Sequence, residues 1–236
     1  MDKENILIVD DDKEIRNLIE IYLKNEGYNT IKAKDGIEAL SVLQNNEVDL
    51  IILDIMMPNM DGIEVCMKVR EEREMPIIML SAKSEDMDKI LGLTTGADDY
   101  VTKPFNPLEL IARVKSQLRR YKKFNNNSAD EQDIQTEGVM EIEDLMINTN
   151  THEILVDGKD IKLTPTEFSI LELLAENRGI VFSIRKIYEA VWKEEFFEND
   201  NTVMVHIRKI REKIEEDTRK PKYIKTVWGV GYKIDK

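Results

Sequence analysis

Over the first half of the chain, short runs of consecutive apolar residues alternate with segments whose apolar positions recur at helical spacing. Ile6-Leu7-Ile8-Val9 predicts a strand, and Ile15, Leu18, Ile19, Tyr22 and Leu23, at i, i+3, i+4, i+7 and i+8, then predict one face of a helix. The alternation continues with a strand at 30–33, a helix at 36–44, a strand at 50–53, a helix at 63–70, a strand at 77–80, a helix at 85–93, a strand near Tyr100-Val101 and a helix at 107–120. Strands that are apolar on both faces and separated by helices imply a parallel, doubly wound α/β sheet covered on both sides. In such sheets ligands bind beyond the carboxyl ends of the strands.

The rhythm stops between Lys122 and Gly138, where residues 123–133 are polar. With 236 residues the chain is long for one domain. The pattern therefore divides it into a first domain over 1–121, a flexible linker over 122–138 and a second domain over 139–236. The second opens with short strands and a hairpin turn at Asp157-Gly158. Thr164-Pro165-Thr166-Glu167 then starts a helix as cap, N1 proline and capping-box acid, with Phe168, Leu171, Leu174 and Ala175 on its apolar face and Gly179 at its end. Ser183 opens a second helix carrying Ile187, Val191 and Trp192.

A third helix begins near Asn201 or Thr202 and buries Val203, Ile207, Ile210 and Ile214. Its opposite side carries Asn201, Val205, Arg208, Lys209 and Lys213, with Arg211 at the flank. Residues 223–233 read as a strand, a glycine-flanked tight turn and a return strand. A helix with a basic outer face, following another helix and followed by a β-ribbon, has the electrostatic footprint of a recognition helix in a major groove.

Composition is ordinary for a globular chain and excludes collagen-like or wholly disordered classes. No apolar run approaches about 18 residues, and the acidic start is unlike a secretory signal. The single cysteine, Cys66, cannot form an internal disulfide, which suits a reducing, cytoplasmic compartment. The net charge of −13 argues at first against a nucleic-acid partner. Its distribution changes that picture, because residues 201–236 hold 10 basic and 5 acidic side chains whereas 139–200 hold 6 and 14.

The first predicted strand runs into Asp10-Asp11-Asp12 and the third ends in Asp54, so both deliver carboxylates to one edge of the sheet. The fourth delivers Ser81, and Lys103-Pro104 follows the fifth. Taken singly, Asp12 is a helix cap, Asp54 the start of a turn closed by Pro58, and Lys103 a solvated lysine. Taken together, the carboxylates would repel unless a cation joined them. Asp10, Asp11 and Asp54, with water and a carbonyl, suit a hard divalent ion such as Mg²⁺. Asp54 is then a candidate nucleophile toward phosphorus, with Lys103 and Ser81 holding the phosphoryl oxygens.

These residues, with Leu53-Asp54-Ile55-Met56-Met57-Pro58-Asn59-Met60-Asp61-Gly62, Ser81-Ala82-Lys83 and Tyr100-Val101-Thr102-Lys103-Pro104-Phe105, resemble the receiver domain of two-component response regulators over about 120 residues. The resemblance implies a flavodoxin-like, five-stranded receiver in which Asp54 accepts phosphate from a histidine on a partner sensor kinase. It also implies Mg²⁺ on Asp10 or Asp11, Asp54 and the Met56 carbonyl, a cis Lys103-Pro104 peptide, and Ser81 with Tyr100 as a switch pair. No enzymatic activity is implied beyond the chain's own phosphoryl transfer and slow autodephosphorylation. A rival reading is a phosphatase of the haloacid dehalogenase class. It requires Thr or Val where Asp10-Asp11-Asp12-Lys13-Glu14 has Glu, and it leaves Asp54 without a role.

The segment from Val203 to Ile214 and Thr226-Val227-Trp228-Gly229-Val230-Gly231-Tyr232 resemble the winged helix-turn-helix of the OmpR/PhoB family, an α+β domain, over roughly 139–235. That resemblance implies that Asn201, Val205 and Lys209 face bases and that Thr202, His206, Arg208 and Arg211 meet phosphates. It places a loop for RNA polymerase at 193–200. Trp228 stands where some members carry an Arg that enters the minor groove, so the wing here packs or touches sugars without that charge. The receiver resemblance further implies a homodimer on phosphorylation. Leu93 and Ala112 would lie at its apolar centre, ringed by Lys89, Asp98, Asp99, Glu109, Arg113 and Arg119, and it would set two output domains on repeated promoter half-sites. An output made only of protein–protein contacts is the alternative. Residues 92–100 and 119–123 are especially similar to the regulators of vancomycin-resistance operons.

Overall fold

The computed structural model describes residues 3–82, 96–127, 138–193 and 202–236. The chain forms two compact units, residues 1–118 and 119–236. The first carries a five-stranded parallel sheet in the order β2-β1-β3-β4-β5, built from β1 (Asn5–Val9), β2 (Asn29–Ala33), β3 (Leu50–Asp54), β4 (Ile77–Ala82) and β5 (Asp99–Lys103). Ile6, Leu7, Ile8 and Val9 are wholly buried, as are Leu50 to Leu53, which is what apolar residues on both strand faces require. Helices α1 (Lys13–Asn25), α2 (Gly36–Asn45) and α3 (Gly62–Arg70) connect the strands. Each starts on an aspartate whose side chain accepts a backbone N–H of the first turn: Asp12 from Glu14, Asp35 from Glu38 and Asp61 from Glu64.

The order reverses at β1, which lies between β2 and β3. The crevice beyond the carboxyl ends of β1 and β3 is therefore the switch point of the sheet. Helix α4 (Pro107–Asn127) is longer than the sequence pattern predicts. Residues 122–127, read from the sequence as the start of a flexible linker, continue its helical backbone. Extending an existing helix carries no nucleation cost, and neither Gly nor Pro interrupts the chain there. The helix predicted at 85–93, with Lys89 and Leu93, lies outside the described residues.

Asp98 does not lie on the surface, where the sequence reading sets it. It is fully buried, and one carboxylate oxygen accepts from Arg70 Nη2 at 2.6 Å and from the Ile77 N–H at 3.0 Å. Arg70 also donates to the carbonyls of Gly96, Arg73 and Met75. A buried carboxylate needs such a partner, and Arg70 supplies it from inside the subunit. Asp99 is likewise buried and is gripped through both oxygens by Arg113 Nη1 at 2.9 and 3.1 Å, while Arg113 reaches Glu109 at 3.1 Å. Ala112 is exposed on α4.

The second unit begins with an antiparallel sheet of β6 (Val139–Ile142), β7 (Leu145–Asn148), β8 (Ile154–Val156) and β9 (Lys159–Asp160). Asp157 and Gly158, with φ of 51° and 72°, form the turn of the β8–β9 hairpin, a mirror-image turn suited to the strand twist. Helices α5 (Pro165–Glu176), α6 (Ile184–Trp192) and α7 (Thr202–Ile214) follow, then the hairpin of β10 (Ile224–Val227) and β11 (Gly231–Ile234). The capping box is present: the Thr164 side chain accepts from the Glu167 N–H, and the Glu167 carboxylate accepts from the Thr164 N–H. Phe168, Leu171, Leu174, Ile187, Trp192, Val203, Ile207, Ile210 and Ile214 all join one core.

Candidate functional site

At the switch point, β1 ends in buried Asp10 and β3 in buried Asp54, and exposed Asp11 follows Asp10. Each of the three can place a carboxylate oxygen within 4.8 Å of the others, so one cation can touch all of them. Lys103, the last residue of β5, brings its ammonium to 2.6 Å from Asp10 and 2.9 Å from Asp54. The Lys103-Pro104 peptide is cis, as the resemblance implies. Burial pushes the Asp54 carboxyl above its ordinary value, and the Lys103 hydrogen bond opposes that rise only in part. Burial pulls Lys103 down, but its hydrogen bonds to both aspartates outweigh this and hold it above the usual lysine range.

Ser81, one residue past the Asp54↔Leu80 register pair, is buried, and its hydroxyl has no hydrogen-bond partner among the described residues. A buried hydroxyl left in this way is costly, and an incoming phosphoryl oxygen would satisfy it. The Met56 N–H donates to Asp54, while the Met56 side chain is exposed. Tyr100 is half-buried on β5, two residues past Asp98. Asp12 caps α1, its side chain accepting the Glu14 N–H.

Gly62 sets how closely α3 approaches the end of β3. A Cβ there would lie 2.1 Å from the Asp54 carbonyl oxygen and 2.9 Å from its carbonyl carbon. Both obstacles are backbone, so the strand end itself must shift. Gly62→Ala is expected to cost about 1–3 kcal/mol in chemical denaturation and to slow modification of Asp54. Wild-type stability and labelling rate in that variant would refute the close-approach argument.

On the output unit, α7 presents its residues less uniformly than the sequence reading implies. Arg208 is exposed and paired at 2.9 Å with Glu212, Lys209 is half-exposed, and Thr202, Val205 and His206 are buried. Lys213, assigned to the basic outer face, instead reaches the buried capping acid Glu167 at 2.6 Å. Arg211 turns toward the hairpin, where Nη2 donates to the Ile224 carbonyl at 2.6 Å and to Thr226 Oγ1 at 2.9 Å. Burial pulls its guanidinium below the ordinary value. Trp228, at the hairpin tip, is 90% exposed, in contrast to fully buried Trp192. Asn201 and residues 194–200 lie outside the described residues.

Residues 6–115 match the family of response regulator receiver domains, and residues 158–234 match that of the transcriptional regulatory protein C terminus. The chain is similar in its entirety to DrrB, an OmpR/PhoB homolog from Thermotoga maritima of known crystal structure, with 35% identity, a TM-score of 0.52 and complete coverage of both chains. It is 53% identical over 234 residues to the regulatory protein VanR of Enterococcus faecium, with 99% of each chain covered. The chain is a response regulator of the OmpR/PhoB family. It is also 48% identical over 233 residues to the regulatory protein VanRc of Enterococcus gallinarum, again with 99% of each chain covered.

With the family established, the protein is a phosphorylation-dependent transcription regulator, and the haloacid dehalogenase reading falls away. Among the described residues no helix is long and apolar enough to cross a membrane. Sequence reasoning missed Glu215, just past α7, which is buried and accepts backbone N–H groups of Lys222, Tyr223 and Ile224. Its signal was present: an acid at the negative end of a helix is disfavoured unless donors meet it.

Proposed function

We propose that this response regulator accepts a phosphoryl group on Asp54 from a histidine of a partner sensor kinase. The observation that carries this is the pocket in which Lys103 bridges Asp10 and Asp54, with the buried Ser81 hydroxyl unpartnered among the described residues. Asp10, Asp11, Asp54 and the Met56 carbonyl would hold Mg²⁺, which supplies neutralisation of phosphoryl charge. The Asp54 carboxylate attacks phosphorus, forming the O–P bond as the N–P bond to the kinase histidine breaks and the imidazole leaves. Lys103 and Ser81 hold the oxygens of the transferred group, the lysine exchanging its contact with Asp54 for one with the new dianion. Ser81 drawn to the phosphoryl group vacates space into which Tyr100 turns.

The surface altered by that turn carries Glu109 and Ala112 among the described residues, with Asp99 and Arg113 buried beneath it, and we assign homodimerisation to it. The Asp99–Arg113 and Arg113–Glu109 pairs within one subunit can be exchanged for pairs between subunits, with the same charges satisfied. Paired output domains then bind repeated promoter half-sites in the cytoplasm and engage RNA polymerase, and the similarity to VanR and VanRc fits a role in controlling vancomycin-resistance operons. Base readout is assigned to Lys209 with Asn201, since Val205 is buried. Phosphate contact is assigned to exposed Arg208, buried Thr202 and His206 being set aside, and a sugar contact in the minor groove to Trp228.

The test selects duplexes from a random-sequence pool with the full chain, in the presence and absence of acetyl phosphate and Mg²⁺. Phosphorylation is expected to enrich direct repeats and to tighten their binding, and a pool that stays unenriched would sink the reading. On the selected duplex, Lys209→Ala is expected to cost about 1–3 kcal/mol and to relax one base position. Arg208→Ala is expected to lower the slope of log affinity against log salt by about 0.9, and wild-type behaviour of both variants would remove α7 from the interface.

A further inference from the structure

The flank of α7 is built around the hairpin. Arg211 spends the Nε–Nη2 edge of its guanidinium, the edge that takes a phosphate bidentately, on the Ile224 carbonyl at 3.2 and 2.6 Å and on Thr226 Oγ1 at 2.9 Å. Its Cζ lies 5.7 Å from the centre of the Tyr232 ring, so one side chain from the helix touches both strands of the hairpin. One turn further on, Glu215 accepts the N–H groups of Tyr223 and Ile224 at 3.0 Å, together with that of Lys222. The carboxylate is buried and has three backbone donors. Arg211 therefore holds the Ile224 peptide by its oxygen, while Glu215 holds the same residue by its nitrogen.

The base of the hairpin is fixed separately. The Tyr223 hydroxyl donates to Asp144 at 2.7 Å, and Lys222 pairs with Glu143 at 3.0 Å and with Asp144, all in the β6–β7 turn. The distance and angle between the outer face of α7 and the hairpin tip at Trp228 are set by what ties the helix to β10. Only the Arg211 and Glu215 contacts link the helix to β10 through charge-assisted hydrogen bonds among the described residues.

We propose that Arg211 and Glu215 are positioning residues that clamp the wing to the recognition helix and so set the spacing between the two groove contacts the output domain makes on DNA. Arg211 acts through the wing and is not a phosphate contact. The clamp rests on the assignment of DNA contacts to α7 and the wing, and binding by the wild-type chain tests that assignment separately from the variants.

The decisive variant is Arg211→Lys in the full chain. It keeps the positive charge but loses the fork, so a phosphate contact would survive it and a clamp would not. On the duplex selected by the wild-type chain, affinity is expected to fall by about ten-fold. The slope of log affinity against log salt should be unchanged, and hydroxyl-radical protection should be lost under the wing but kept under the helix. Glu215→Gln, which is buried and carries no cation to DNA, is expected to give the same footprint, with the double variant losing less than the two singles together. Wild-type affinity in Arg211→Lys overturns the proposal. So does Arg211→Gln with a slope lowered by about 0.9 and an intact wing footprint, because that is the signature of one lost phosphate contact.

Discussion

In the Asp54→Asn chain, acetyl phosphate and Mg²⁺ are expected to give no acyl phosphate, and affinity for the selected duplex should no longer respond to either. The reason is local and complete. Asp54 is the carboxylate held at the switch point with Lys103 at 2.9 Å, and Ser81, whose hydroxyl has no partner among the described residues, follows Leu80, the register partner of Asp54. Asn is nearly the same shape and cannot form the mixed anhydride. Asp10 and Asp11 cannot take over, since Asp10 is fully buried against Lys103 at 2.6 Å and Asp11 is exposed at the rim. Intact-mass measurement after brief incubation reads the loss, and a phosphoryl adduct at wild-type level on the variant would move the acceptor away from Asp54. The variant should fold at least as well as the parent, because it removes a buried charge whose protonation burial already favours.

Lys103→Met is expected to have the second largest effect, and here stability moves with function. Removing the ammonium leaves Asp10 and Asp54 facing each other without their shared cation. The loss at neutral pH is expected to be on the order of 2–3 kcal/mol in urea unfolding. That is below the cost of stranding a fully buried charge, since the Lys103 side chain is 21% exposed. The pH dependence follows from the raised Asp54 carboxyl. A carboxyl whose folded value lies above its ordinary 3.8 contributes stability that is present below 3.8 and lost as pH rises through the folded value. Without Lys103 that value climbs further, so the deficit of the variant is largest near pH 7 and shrinks on acidification. Saturating Mg²⁺ should also shrink it, because the cation replaces the lost charge. A deficit independent of both pH and Mg²⁺ would mean that Lys103 contributes through packing alone.

The two predictions draw on a site that the sequence exposed almost completely. Asp10 and Asp54 each follow an uninterrupted apolar strand, and the side-by-side placement of β1 and β3 follows from the order of a doubly wound sheet. Ser81 lies one residue before the end of β4 and Lys103 ends β5, so these four residues were legible as belonging to one edge of the sheet. The clamp on the wing was not legible in this way. Arg211 carries the same charge and lies in the same basic run as Arg208, yet Arg208 is exposed and Arg211 is bound to Ile224.

By itself the sequence determined the strand and helix periods, the caps at Asp12, Thr164 and Ser183, and the edge on which the carboxylates gather. These are readable because period and capping depend on residues within a few positions of one another. The tertiary structure alone decided where the long charged side chains end. Asp98 goes inward to Arg70, Lys213 to Glu167, Arg211 to the wing, and Glu215 to three backbone donors. A long side chain can reach solvent, a phosphate or a carbonyl from the same backbone position. Which of these it takes depends on what another part of the chain has left unsatisfied within its reach.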